Sequence, residues 1–278
     1  MENFMESPLF QALFLAVVQG LTEFLPVSSS GHLALAEKLL PGFGQPGLLL
    51  EVILHVGTLG SIIVYYRREV LDLLRTGLSF LPGRPPAEPE SKKALFGIVI
   101  ASIPTAVIGL LLVDRVEPMA DSVFTVGLML MVTGTVLLTG EFLFRRVPSR
   151  PGFPGWGKSL IIGVAQGLAV IPGISRSGAT ISAARAMGID AGHAASFAFL
   201  VSIPAVIGAA LLTLFKHRAE ITLFRGEEIA AYLVGPLVAG VVGYLAIMVV
   251  MRTLRGGKFF WFSIYCFAVG SISLFFGL

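Results

Sequence analysis

The stretch Glu23–Leu33, EFLPVSSSGHL, sets a carboxylate, three serines, a glycine and an imidazole inside an apolar segment. A second stretch, Pro172–Thr180, PGISRSGAT, brings serines, a glycine and an arginine into another. Proline removes a backbone donor and clashes with the preceding helical turn. The apolar regions Pro8–Leu40 and Ser159–Met187 are therefore read as two short helices each, with a break, rather than as single rods. Composition decides what such a break means. Of 278 residues 55% are hydrophobic and 13% charged, and the mean hydropathy of +0.86 lies outside the range of a water-soluble domain. In lipid, non-helical backbone is tolerated only where protein buries it or it lines a wet cavity. Two re-entrant helical hairpins with their tips inside the protein are expected.

Six uninterrupted apolar stretches reach the roughly 20 residues that a membrane-crossing helix needs: Leu48–Tyr66, Ala94–Val113, Ser122–Phe144, Ala194–Phe215, Ile229–Met251 and Phe259–Leu278. The fold class is thus an all-α integral membrane protein with six transmembrane helices and two re-entrant hairpins, in one membrane domain over residues 1–278. The single cysteine, Cys266, rules out an intrachain disulfide, so helix packing must supply stability. No basic residue precedes Lys38, so the positive leader of a signal peptide is missing and the first segment is expected to be retained.

The two broken regions repeat one another. QGLTEFLPVSSSGH begins at Gln19 and QGLAVIPGISRSGA at Gln166, and at this offset of 147 Ser28, Ser30 and Gly31 align with Ser175, Ser177 and Gly178. Each half, about 1–147 and 148–278, is one hairpin followed by three spans. An odd number of spans turns the second half upside down, the inverted-repeat plan of many transporters. Lysine and arginine set the orientation. One side holds Arg67, Arg68, Arg75, Arg84, Lys92, Lys93, Arg145, Arg146, Arg150, Lys158, Arg252, Arg255 and Lys258. The other holds Lys38, Arg115, Lys216, Arg218 and Arg225. The first side, including the linker PGRPPAEPESKK from Pro82, is read as cytoplasmic, so the first hairpin opens outward.

Ionisable groups at membrane depth are costly and face a bundle interior or a wet cavity. Gln19 and Glu23 are four apart and share a helix face. Ser30, Gly31 and His32 fall at the start of the following helix, where free N–H groups and the dipole favour an anion. The second tip repeats that plan with Ser175, Ser177, Gly178 and Thr180, and adds Arg176, whose planar fork suits phosphate. Serines at a proline break are also ordinary helix caps. Elsewhere the plain reading is preferred: His55 as a packed polar residue, Glu51 as a helix-start residue, His193 and His217 at membrane surfaces, Glu141 without a role, and the phenylalanines as lipid-facing or packing surface.

With those residues in view, QGLTEFLPVSSSGH resembles the (Glu/Gln)-x-x-x-Glu motif, and PGISRSGAT the PGxSRSxxT motif, of the bacterial undecaprenyl-diphosphate phosphatases, also called bacitracin resistance proteins. The resemblance covers the whole chain in length, span order and motif placement. It implies an enzyme of the bacterial cytoplasmic membrane that removes the terminal phosphate of undecaprenyl diphosphate and so recycles the carrier lipid for cell-wall assembly. It marks Gln19, Glu23, Ser28, Ser29, His32, Ser175, Arg176 and Thr180 as the site. The first acidic position of the motif is Gln19 here, so Glu23 with the Gln19 amide oxygen would hold any Mg²⁺ or Ca²⁺. The expected partners are the polyprenyl diphosphate lipid and the bilayer, with a homodimer allowed and no nucleic acid.

Two chemical assignments stand at this stage. In one, Ser29 attacks phosphorus with His32 as general base and Arg176 stabilising the phosphoryl oxygens; in the other, His32 attacks directly. Glu23 would orient His32 or the metal, with Ser28, Ser30, Ser175, Ser177 and Thr180 on the phosphate. A lipid-phosphate carrier is the rival function, since broken helices meeting at midplane are also transporter architecture.

Overall fold

The computed structural model describes residues 6–40, 47–216, 218 and 226–277. His217 and Arg225, both assigned to surface positions above, lie outside the described residues. Helix α1, Pro8–Phe24, starts with proline at its first position, where the missing N–H is no loss. It stops where Leu25, the residue before Pro26, takes the extended ψ of 139° that a following proline favours. The chain then turns through Ser28, whose φ of 71° is the only positive value at a described non-glycine residue, and α2 runs Ser29–Lys38. The second break is built alike. Helix α7, Trp156–Leu168, gives way to a turn and then to α8, Arg176–Ala186.

Both second helices are capped by the same device. Ser28 Oγ accepts from the Gly31 N–H at 3.3 Å, and Ser175 Oγ from the Gly178 N–H at 3.0 Å. Carbonyls freed by the breaks find side-chain donors, as membrane burial requires. Ser177 Oγ donates to Leu25 O at 3.2 Å, Thr133 Oγ1 to Gly173 O at 2.7 Å, and Cys266 Sγ lies 3.7 Å from Pro26 O. The tips touch through glycines: a Cβ on Gly31 would stand 3.0 Å from Gly173 Cα.

The remaining helices are α3 Gly47–Tyr65, α4 Arg67–Leu78, α5 Pro89–Asp121, α6 Val123–Phe144, α9 Ala191–Lys216, α10 Glu227–Arg255 and α11 Phe260–Phe276. Among the described residues there is no strand, only an isolated bridge between Arg150 and Ile189. Each hairpin leads with a helix packed along a long helix of the other half: α1 on α10, and α7 on α5. Small residues allow this approach. A Cβ on Gly163 would stand 2.2 Å from Ala101 O, and one on Gly57 of α3 2.1 Å from Pro236 O of α10. The buried core gathers Phe24, Phe197, Phe199 and Phe259, whereas Leu111, Phe215 and Phe275 face outward. The phenylalanines thus divide between packing and lipid-facing surface.

Among the described residues four helices, α5, α6, α9 and α10, are long and apolar enough to cross a membrane, and a fifth if α3 and α4 count as one bent span. The expected stretch Leu48–Tyr66 agrees with α3, while two other boundaries need correcting. The stretch Ala94–Val113 is only the middle of the 33-residue α5. After Tyr65 the chain bends by 87° into α4. That helix carries Arg67, Arg68 and Arg75 beside exposed Leu71, Leu74 and Leu78, the make-up of an interfacial helix. The last stretch, expected as Phe259–Leu278, is a helix of 17 residues, about 25 Å at 1.5 Å per residue and at the short end for a span.

Candidate functional site

The two hairpin tips bring Ser29 and Arg176 together as the first residues of α2 and α8, which are matching positions in the sequence repeat. Between them lies Glu23, on the last turn of α1, with its side chain only 5% exposed. Three hydrogen-bond donors and one imidazole converge on its carboxylate. Arg176 Nη2 bonds Oε1. Oε2 accepts from Ser29 Oγ at 2.6 Å and from Gln19 Nε2 at 2.9 Å, and His55 Nε2 stands 3.3 Å away. A buried carboxylate is tolerable only when paired and hydrogen-bonded in this way. The group opens into a cleft of about 240 Å³ whose polar wall includes Glu23, Ser29, Ser30, Glu51, His55, Ser175 and Arg176. Its other wall is apolar, with Val116, Val170, Ile174, Val206 and Ala209.

Several expected site residues support the tips, and of these only Ser175 also lines the cleft. Ser28 and Ser175 cap their helices on Gly31 and Gly178, within 3.4 Å of Ser30 Oγ and 3.3 Å of Ser177 Oγ respectively. Ser177 is occupied with Leu25 O, and the Thr180 hydroxyl donates back to Arg176 O at 2.7 Å. The structure places His32 on other partners than Ser29. Its Nδ1 lies 2.8 Å from Ser28 O, which can only accept, so Nδ1 carries the proton. Its Nε2 then accepts from Tyr265 Oη at 2.8 Å, with the two rings stacked. Neither nitrogen is free to take a proton from Ser29, whose hydroxyl donates to Glu23. His32 instead pins the strained Ser28 turn to α11.

Sequence reasoning overlooked His55, Glu51 and Tyr265. His55 was assigned to packing, yet it lies against Glu23 and lines the cleft. The available signal was the spacing Glu51-x-x-x-His55, which repeats that of Gln19 and Glu23 within an apolar span. Tyr265 carried none, because its pairing with His32 spans 233 residues. For a cation the site offers the Glu23 carboxylate and Gln19 Oε1, which is buried without a hydrogen-bond partner. No cluster of three His, Cys, Asp or Glu suited to a metal occurs among the described residues.

Helical hairpins meeting at a buried, arginine-bearing polar cleft, among long apolar helices, define a multi-pass membrane protein. The chain belongs to the bacitracin resistance protein BacA family, whose pattern matches residues 12–272. Similar proteins are named undecaprenyl-diphosphatase. That of Syntrophotalea carbinolica is 40% identical over 94% of this chain and 96% of its own. That of Desulfosudis oleivorans is 41% identical over 96% and 98%, and that of Desulforapulum autotrophicum 40% over 96% and 97%.

Proposed function

We propose that this chain hydrolyses undecaprenyl diphosphate to undecaprenyl phosphate and inorganic phosphate, recycling the carrier lipid for cell-wall synthesis and bearing on bacitracin resistance. The observation that carries the reading is the 2.6 Å hydrogen bond from Ser29 Oγ to Glu23, with Arg176 beside it. Ser29 Oγ attacks the terminal phosphorus and its proton passes to Glu23 Oε2. The bond from phosphorus to the bridging oxygen breaks, and the lipid monophosphate leaves. Water then adds to the phosphoserine, the P–Oγ bond breaks, and Ser29 regains its proton from Glu23. Both water hydrogens depart with inorganic phosphate. Arg176 turns its fork to the equatorial oxygens, where electrostatic stabilisation carries most of phosphoryl-transfer catalysis. Mg²⁺ or Ca²⁺, held by Glu23 and Gln19 Oε1, would lower the charge on the diphosphate when bound.

The test is phosphate release from undecaprenyl diphosphate by the purified chain in detergent, with EDTA and Mg²⁺ arms. Release is expected. Lipid binding without release would instead support the carrier, which needs Arg176 but has no use for a serine bonded to a carboxylate.

In the membrane arrangement that fits this chemistry, α3, α5, α6, α9, α10 and α11 cross the bilayer and the hairpins α1/α2 and α7/α8 re-enter it, with the second half inverted. The exchanged packing of α1 on α10 and α7 on α5 supports this, as does the lysine and arginine distribution. The cleft then opens to the outer side of the cytoplasmic membrane. With buried Cys266 replaced by alanine, a cysteine at exposed Asp121 is expected to react with an impermeant maleimide from outside whole cells, and one at Arg84 only after lysis. The reverse pattern would invert the topology.

A further inference from the structure

The loop between α6 and α7, residues 147–155, reads VPSRPGFPG and takes no part in the cleft. Its prolines fix φ and limit how it can lie. Three backbone bonds then pin it: the Arg150 N–H donates to Gly188 O at 2.9 Å, the Asp190 N–H to Arg150 O at 3.1 Å, and the Phe153 N–H to Glu90 Oε1 at 2.6 Å. Where the loop meets α5 and the end of α8, it borders a pocket of about 470 Å³. Three cations line this pocket, Lys93 of α5, Arg150 of the loop and Lys158 of α7, and no acidic residue does. The carboxylates nearby are engaged. Glu90 takes the Phe153 N–H and stands 3.8 Å from Lys93, while Asp190 bonds His193 Nδ1 at 2.6 Å and the Gly192 N–H at 2.9 Å. Lys158 Nζ donates one N–H to Met187 O at 2.6 Å. The Arg150 guanidinium has no partner among the described residues. The pocket beside α4 gives the contrast: Arg75 and Arg84 line it together with Asp72 and Glu88, and Asp72 pairs with Arg75 at 3.3 Å. That one is balanced in charge.

Next to the cationic pocket the surface turns apolar. Lys93 directly precedes the apolar run of α5, and α5 packs along α7. Phe96 and Val99 of the one helix and Leu160 and Ile161 of the other are exposed. Trp156, the first residue of α7, is 77% exposed, as suits a tryptophan at the boundary of headgroups and hydrocarbon. We propose that this pocket holds the headgroup phosphate of an anionic phospholipid in the cytoplasmic leaflet, with the acyl chains on the exposed faces of α5 and α7. A basic pocket between membrane helices on that side is suited to such a headgroup, and the arginine fork to its phosphate. A soluble anion would use the charges alone; only a lipid uses the apolar faces as well. The leaflet follows from the orientation proposed above, and nothing in the site depends on the phosphatase reading. The bound headgroup ties α5 to the second hairpin at the end opposite to its tip.

The test is native mass spectrometry of the full chain released from detergent micelles, titrated with dioleoylphosphatidylglycerol, with dioleoylphosphatidylcholine, or with inorganic phosphate. The two lipids share their chains and a phosphodiester, and only the first has a net charge. Phosphatidylglycerol should be retained in preference to phosphatidylcholine. Arg150→Gln/Lys158→Gln should weaken its binding roughly 25-fold, about five-fold for each charge near an anionic headgroup. Both side chains are exposed, and thermal unfolding without lipid checks that the variant is folded. Arg150→Gln alone has no side-chain partner to lose and should show the single five-fold step. Arg75→Gln/Arg84→Gln, in the balanced pocket, should bind as the native chain does. Equal retention of the two lipids overturns the proposal, as does native binding by Arg150→Gln/Lys158→Gln or a loss confined to Arg75→Gln/Arg84→Gln. Inorganic phosphate that displaces phosphatidylglycerol at equal concentration overturns it too, and makes the pocket a site for a soluble anion.

Discussion

Ser29→Ala is expected to lower phosphate release by about 10³-fold or more, the scale on which loss of a nucleophile falls, with lipid diphosphate binding retained. Position separates this effect from unfolding. Ser29 is the first residue of α2, where alanine is well tolerated, and the helix cap is supplied by Ser28 instead. The hydroxyl makes its one bond to Glu23, which keeps Arg176 and Gln19 as donors after the change. The variant should therefore unfold within about 0.5 kcal/mol of native, as for substitutions that disturb no buried feature. Turnover retained in folded Ser29→Ala would remove the covalent route and direct attention to an attacking water. The comparison with His32→Gln matters too. His32 reaches the chemistry through the Ser28 turn and Tyr265, so its removal should cost less than that of Ser29. Equal losses would return the role of base to His32.

The contrast between Ser29 and His32 marks how far the sequence could be read. The breaks were legible because Pro26 and the serine runs act locally on the backbone. The repeat of 147 residues makes Ser29 and Arg176 equivalent positions in the sequence itself. His32 was paired with Ser29 because a serine hydroxyl needs a nearby base and histidine changes charge close to neutral pH. Chemistry of residue types does not reveal that Ser29 opens its helix and takes its partner from the helix before it. His55 was hidden for a different reason. Its meaning depends on α3 lying beside α1, a tertiary contact that no local pattern encodes. The 87° bend after Tyr65 has no proline or glycine at its corner. Only the change from apolar to amphipathic composition at Arg67 announced it. Span ends were misjudged where apolar runs stop short of the helix, as in α5, since charged residues can continue a helix beyond the hydrocarbon.

Arg176→Ala should have the largest effect of any single change, because it acts on both chemistry and folding. Loss of a transition-state arginine in phosphoryl transfer costs about 10³–10⁵ in rate. Removing one partner of a buried ion pair costs about 3–5 kcal/mol when the other is left alone. Ser29 and Gln19 on the opposite carboxylate oxygen should hold the loss near the lower end of that range. Activity alone cannot separate the two effects. The double variant Glu23→Gln/Arg176→Ala can, since it removes both charges and leaves an amide that still accepts from Ser29. Thermal unfolding in detergent should place the double variant nearer to native than Arg176→Ala, while phosphate release stays absent in both. Arg176→Lys should recover stability but little rate, because an ammonium cannot offer the paired N–H fork. If Arg176→Ala proved as stable as native and still released phosphate, Arg176 would be neither the partner that keeps Glu23 buried nor the phosphate clamp, and the meeting of the two hairpin tips would need another explanation.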